Sequence, residues 1–390
     1  MWIFFILALA CVSAPSDPES DPTDSNETDS DPADTEDTPI DVSSCAVDVH
    51  QHFASNVAFS QAAEELIAKM EAVHVGSGTG VAFTLIQPPP AAGDSDAGAH
   101  YDYLSNMSPS LLQVVEDHPL EFGLVAGGGI LNSWIHEAVL DERTINDTER
   151  ANFKAAAGGI IDDGVLAFGE MAVLHISLEG NHPFIASPAD HPLYLALAEV
   201  SVERSVPIDI HLEAVDQEAL AVPDEMPSNC FQNVENGGNN PVSLANSIDA
   251  FEILLDHQFD AAADPEDAAI VWSHVGWDNT GDLTAELLDR LFAAHPNLYA
   301  SLKILDAPGP CQSMENRPLT EDGDLRPEWL ALFEEWPERF VLGSDEFVGG
   351  TDGVGAPSTQ GTWDLMAQLP DELAQAFACD NPRRIYGIDE

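Results

Sequence analysis

From Cys45 onward the chain alternates short apolar runs with longer stretches whose apolar positions recur at helical spacing. Eight of the short runs read as strands, ending near His52 (AVDVHQH), Ile86 (VAFTLI), Ala126 (FGLVA), Glu170 (VLAFGE), His211 (VPIDIH), His274 (AIVWSH), Ile304 (LYASLKI) and Asp345 (FVLGSD). Between them the i, i+3, i+4 pattern predicts helices over 61–73, 146–163, 192–204, 244–257, 283–294 and 327–336, and a last helix over 363–378. Strand–helix alternation implies a parallel sheet, and eight such units imply a (β/α)8 TIM barrel occupying residues 45–390.

In such a barrel the chemistry sits at the carboxyl ends of the strands. Here strands one, four, five, six and eight end in His50 and His52, Glu170, His211, His274 and Asp345. Ionisable groups closing apolar strands are costly to bury without partners, and a shared metal ion accounts for all of them. Alternation along strand one puts His50 and His52 on one face, so that both imidazoles can hold one ion. Asp48 falls on that face too, one pleat deeper, where it could orient a ligand imidazole.

These motifs resemble the amidohydrolase superfamily, in particular the amidohydrolase-related group that includes metal-dependent decarboxylases. The HxH of VDVHQHF, His211 in VPIDIHLEA, His274 in VWSHVGW, Asp345 in FVLGSDEF and the closing NPRRIYG carry the likeness. The resemblance implies one or two divalent ions, zinc by expectation, held by His50, His52, His211 and Asp345. It further implies a metal-activated water with Asp345 as general base, and His274 polarising the water or the substrate carbonyl or ligating a second metal. Binuclear members usually carry a carboxylated lysine at the end of strand four. Glu170 stands there instead, as a bridging ligand or as a hydrogen-bond acceptor. On this basis the expected activity is hydrolysis of an amide, lactone or ester bond. Non-oxidative decarboxylation of an aromatic or enoic acid uses the same ligands and is the alternative. A non-catalytic surface binding protein is a third reading, which predicts a missing metal or a closed coordination shell.

Further residues are expected around the mouth. His175 and His182, in the loop after strand four, could face substrate, and Lys303 at the end of strand seven suggests a carboxylate-bearing small molecule. Trp134 and Trp277, in loops after strands three and six, could wall the pocket. The GSGTG run at 76–80 precedes a strand and reads as a turn, while Gly127-Gly128-Gly129 lacks the spacing for nucleotides. Barrel topology suggests two disulfides: Cys45 with Cys379 at the bottom, and Cys230 with Cys311 on top. Loops 213–242 and 305–325 are long enough to form a lid, which the second bridge would staple.

Charge adds the partners to exclude. The 390 residues hold 69 acidic and 12 basic side chains, a formal charge of −57, so nucleic-acid and anionic-lipid docking are disfavoured. Eleven of the acids lie in residues 12–44, a Ser/Asp/Thr/Pro-rich stretch that should remain a disordered linker. Residues 1–11 precede it: an apolar run, too short to span a bilayer, that fits a secretory signal. Its Ala8-Leu9-Ala10-Cys11 resembles a lipobox, which would lipidate Cys11 and tether the protein to a bacterial envelope. Cleavage after Val12-Ser13-Ala14 would instead release it as a secreted soluble protein. The remaining 58 acids and all 12 bases leave about −46 on residues 45–390, with only three lysines, a balance that reads as adaptation to salt. Screening shortens the Debye length from ~8 Å at physiological salt to ~3 Å at 1 M. The melting temperature is therefore expected to rise between 0.1 and 2 M KCl, measured by thermal unfolding; a flat or falling curve would refute the reading.

Overall fold

The computed structural model describes residues 42–53, 58–72, 81–88, 109–177, 184–221, 240–304, 316–348 and 359–388. Cys11, nearly all of the acidic linker, His182, Cys230, Cys311 and most of both long loops lie outside the described residues.

Eight strands form the barrel: β1 (Val47–Phe53), β2 (Phe83–Ile86), β3 (Phe122–Gly127), β4 (Ala167–His175), β5 (Ile208–Leu212), β6 (Ile270–Val275), β7 (Leu298–Leu302) and β8 (Phe340–Leu342). Each pairs in parallel with the next, and Asp48 opposite Leu342 closes β8 onto β1. Two apolar layers hold the ring. The larger one lies between the strands and the surrounding helices and includes Phe153, Tyr194, Phe251, Trp272 and Phe333. A smaller cluster draws Val47, Val49, Leu85, Val125, Ala167, Val271 and Val341 from six strands, with Ile385 and Tyr386 from the last helix. Strand residues meeting from around the ring define the barrel interior, and the last helix plugs its amino-terminal end.

Helices begin where polar caps allow. Over Asp147–Asp162 the Asn146 side chain accepts from the Thr148 and Glu149 amides, at 3.0 Å each. Thr284 does the same for Leu287 ahead of Ala285–Ala294, and Pro192 opens Pro192–Arg204. Two helices carry no clear sequence signal, Pro109–Asp117 and Ile130–Leu140. The second buries Leu131, Asn132, Ser133, Ile135, His136 and Ala138, so polar and apolar residues share its inner face and blur the period. The helix expected over 363–378 breaks at Pro370, which lacks an amide donor, into Thr359–Met366 and Asp371–Gln375. A π-helical turn, Ala376–Asp380, then leads into Asn381–Tyr386.

Val42–Ser44 forms a short 3-10 turn with Val42 buried, so the last residues of the expected linker belong to the barrel base. Beside it a disulfide joins Cys45 to Cys379 across 334 residues. Closing so long a loop restricts the unfolded chain. Cys45→Ser is accordingly expected to lower unfolding free energy by about 2–5 kcal/mol, read from urea titrations. Addition of reductant should destabilise the wild type by a similar amount and leave the variant unchanged.

Candidate metal centre

Interior alternation along β1 does not run evenly. Val47 and Val49 pack in the barrel interior, and the register against β2 slips between Asp48 and Gln51. The slip returns His50 and His52 to the mouth and removes Asp48 from beneath them. Asp48 instead accepts from the His50 amide, the Gln51 side chain, and both the amide and hydroxyl of Ser344. It ties β1 to the turn that carries Asp345 rather than orienting a ligand ring.

At the mouth the His50 and His52 Nε2 atoms approach to 3.1 Å. His52 Nδ1–H donates to the Gln87 carbonyl at 2.7 Å, and its Nε2 faces His50 and, at 2.9 Å, Asp345 Oδ1. Glu170 lies among the rings. Its Oε1 accepts from His211 Nδ1 at 2.6 Å and His274 Nε2 at 2.8 Å, and its Oε2 stands 3.7 Å from both His50 and His52. Gly128 makes room for this: a Cβ there would sit 2.2 Å from the Glu170 carbonyl oxygen. His274 and Asp345 both adopt left-handed backbone, with φ of 64° and 53°. Such conformations are strained for side chains other than glycine and cluster where geometry is functional.

Burial would raise the Glu170 carboxyl, but the hydrogen bonds from His211, His274 and His50 hold it well below the usual carboxylate range. Asp345 is likewise held low against burial, chiefly by the Lys303 charge. Burial pushes His274 down to about 3, so its ring is neutral; with Nε2–H on Glu170, its Nδ1 is a bare acceptor without a hydrogen-bond partner. For His211, burial is outweighed by Glu170 and Glu213, which push it up to about 9.

The donor set fits a divalent cation. His50, His52 and Asp345 form one group whose donor atoms lie within 4.8 Å of one another, and His50, Glu170 and His274 form a second. Nitrogen lone pairs converging on carboxylate oxygens in a buried site are the arrangement a shared cation satisfies. A family model described as Amidohydrolase matches residues 162–388. The chain belongs to the amidohydrolase family. No curated protein matches it. Among solved structures, an amidohydrolase II has a TM-score of 0.50 at 12% identity, covering 88% of this chain and 99% of its own. The 2,6-dihydroxybenzoate decarboxylase from Rhizobium has a TM-score of 0.50 at 13% identity, covering 89% and 99%. At these identities the likeness speaks for the amidohydrolase barrel and not for a substrate.

Other expected site residues divide. His175 closes β4 itself rather than a following loop, and its ring lies 4.5 Å from that of His211. Lys303 is buried; its ammonium donates to Asp345 Oδ2 and lies 3.3 Å from the centre of the Trp277 ring. It is thus a partner of Asp345 rather than a free receptor for a substrate carboxylate. Trp277 covers it. Trp134 sits on Ile130–Leu140 rather than in a loop and packs edge-on against Phe153, in the helical layer and not in the pocket wall. Two residues escaped sequence reading. Gln87 receives the His52 proton, and Glu213, 3.5 Å from His211 Nε2, follows that histidine at strand spacing. That spacing was the signal available.

Because His211 retains its proton up to about pH 9 without metal, metal uptake should displace that proton below this pH. Calorimetric zinc titrations at pH 7.5 are expected to show about one more released proton for wild type than for His211→Asn. The difference should vanish above pH ~9, and its absence at pH 7.5 would exclude His211 as a ligand.

Proposed function

We propose that this family member is a metal-dependent hydrolase that adds water to an amide, lactone or ester carbonyl of a small molecule. The observation that carries the reading is the buried convergence of four imidazoles and two carboxylates, borne by or just past five barrel strands, at the barrel mouth. His50, His52, His211 and Asp345 would hold the ion, and Glu170 would help to hold a second if one binds. Zinc is the ion we favour, since it accepts mixed imidazole and carboxylate donors. The bound ion supplies an acidified water and a Lewis acid at neutral pH.

The chain's own groups do the remaining work. Glu170 accepts from His211 and His274 and so aims both rings into the mouth. Asp345 accepts the proton of the attacking water and returns it to the leaving group. Lys303 occupies one Asp345 oxygen and leaves the other facing His52, which keeps the carboxylate in one orientation. His274 presents an unprotonated Nδ1, 3.7 Å from Asp345 Oδ2. With its protonated form disfavoured by burial, that nitrogen serves as a hydrogen-bond acceptor or a cation ligand rather than as a donor to a substrate carbonyl. The sequence of residues 1–44 supports export, with Cys11 as the lipid attachment point.

Protein purified in molar salt is expected to carry stoichiometric metal and to hydrolyse members of a lactone, ester and amide panel. Chelation should abolish the activity and zinc restore it. Asp345→Asn should lower kcat on the order of 10²–10⁴-fold, and His50→Ala should lose metal as well. Metal-free wild type would sink the reading, and turnover confined to aromatic or enoic acids with release of carbon dioxide would replace hydrolysis by decarboxylation.

A further inference from the structure

Beneath the metal centre lie two buried ionisable groups that the proposed reaction leaves unused, Asp209 and Tyr386. Asp209 sits on β5, one pleat below His211, between Ile208 and Ile210, which pack outward against the helices. Its Oδ1 accepts the Tyr386 hydroxyl at 2.7 Å, and its Oδ2 accepts the Gln87 side-chain amide. The same amide reaches the Val49 carbonyl at 2.9 Å. The Gln87 backbone N–H donates to the Gln51 carbonyl at 2.8 Å, and its own carbonyl receives His52 Nδ1–H. Tyr386, Asp209, Gln87 and His52 are all 3% exposed or less. A Cβ on Gly169 would come within 2.8 Å of Gln87 Oε1 and 2.9 Å of the Asp209 Cβ, so the barrel wall beside this pair is bare backbone.

We infer that Tyr386, Asp209 and Gln87 are positioning residues, a hydrogen-bonded rod from the C-terminal helix to the His52 imidazole that fixes its tautomer and aim. His52 can offer Nε2 toward Asp345 only while its Nδ1 proton stays on the Gln87 carbonyl. Gln87 lies just past the last residue of β2, and its side chain, anchored on Val49 and Asp209, holds it where the strand ends. Tyr386 in turn fixes one Asp209 oxygen, leaving the other for Gln87. Stability alone gives no account of the arrangement. A carboxyl at this depth carries a desolvation cost with no cation against it, and an apolar side chain would pack there without that cost.

This inference rests on the metal-centre reading, and its test separates the two. Tyr386→Phe removes only the hydroxyl. Asp209→Asn leaves one acceptor oxygen where there were two, so Tyr386 and Gln87 can no longer both donate to this side chain. Tyr299→Phe is the control, since that hydroxyl also lies among the interior cluster's neighbours but contacts only Arg384, at 3.4 Å. Zinc affinity by chelator competition is expected to fall on the order of tenfold in the first two variants, with a shifted visible spectrum of the cobalt-substituted protein. Tyr299→Phe should match wild type in both. In metal-free protein, the 15N shifts of His52 should report a fixed Nδ1–H tautomer in wild type and a mixture in Tyr386→Phe and Asp209→Asn. Unchanged affinity, cobalt spectrum and His52 tautomer in both variants would overturn the rod, whatever their melting temperatures. A wild type that binds no zinc would overturn the metal reading instead, and the His52 shifts would still decide the rod.

Discussion

Glu170 is the constraint around which the mouth of this barrel is arranged. It is a buried carboxylate whose direct partners are imidazoles: its charge is balanced by N–H groups of His211 and His274 and by the proximity of His50 and His52. Leaving such a group unpaired would cost several kcal/mol, so the rings around it are held to narrow positions. Those positions also bring His50, Glu170 and His274 together as one candidate donor group. The backbone at the end of β3 yields to Glu170 as well, since any side chain at Gly128 would collide with its carbonyl. In binuclear relatives a modified lysine is expected at this place. Here an unmodified acid, shorter than a carboxylated lysine, performs the organising role without a covalent addition.

A second constraint is closure. β8 has only three residues and meets β1 at a single pair, Asp48 and Leu342. Pairing with β1 resumes at Glu346–Val348, opposite Gln51–Phe53, so the intervening turn 343–345 is the stretch without a ladder of its own. Asp48 reinforces it by accepting from the amide and hydroxyl of Ser344, and the Asp345 amide donates to the His50 carbonyl at 2.7 Å. Ligands from the first and last strands are therefore stapled to each other through backbone as well as through any ion they share. The strained φ at Asp345 follows from this: the chain must turn from the seam into the mouth within one residue, and the bonds on either side hold it there.

The architecture was legible because buried parallel strands are short apolar runs between amphipathic helices, and all eight stand out that way. The ligand candidates were legible for a related reason, since an ionisable residue ending an apolar run contradicts its surroundings. What sequence could not supply were pairings across the fold. Asp48 looked like an outer support for His50 because perfect alternation was assumed; a slip of register, invisible in one strand read alone, sent it to Ser344, 296 residues away. Lys303 looked like a substrate receptor because its partner, Asp345, lies 42 residues on and beyond another helix. Trp134 looked like pocket wall because Ile130–Leu140 lacks a clean helical period. Local pattern carries faces and ends, whereas register and side-chain partners depend on how distant segments meet.

The acidity of the chain bears on the site through distance. With about −46 on residues 45–390, an anionic substrate approaching in dilute buffer meets a repulsive field well before it reaches the mouth. At molar salt that field decays within ~3 Å, so the surface no longer governs entry and only charges inside the mouth remain effective. Among these, Lys303 is committed to Asp345 and covered by Trp277. Of the two carboxylates, Glu170 is compensated by imidazoles and Asp345 by that lysine. The local charge that a substrate meets is therefore set chiefly by whatever cation the histidines hold. A carboxylate-bearing substrate would have to bind the cation directly or draw on a group outside the described residues.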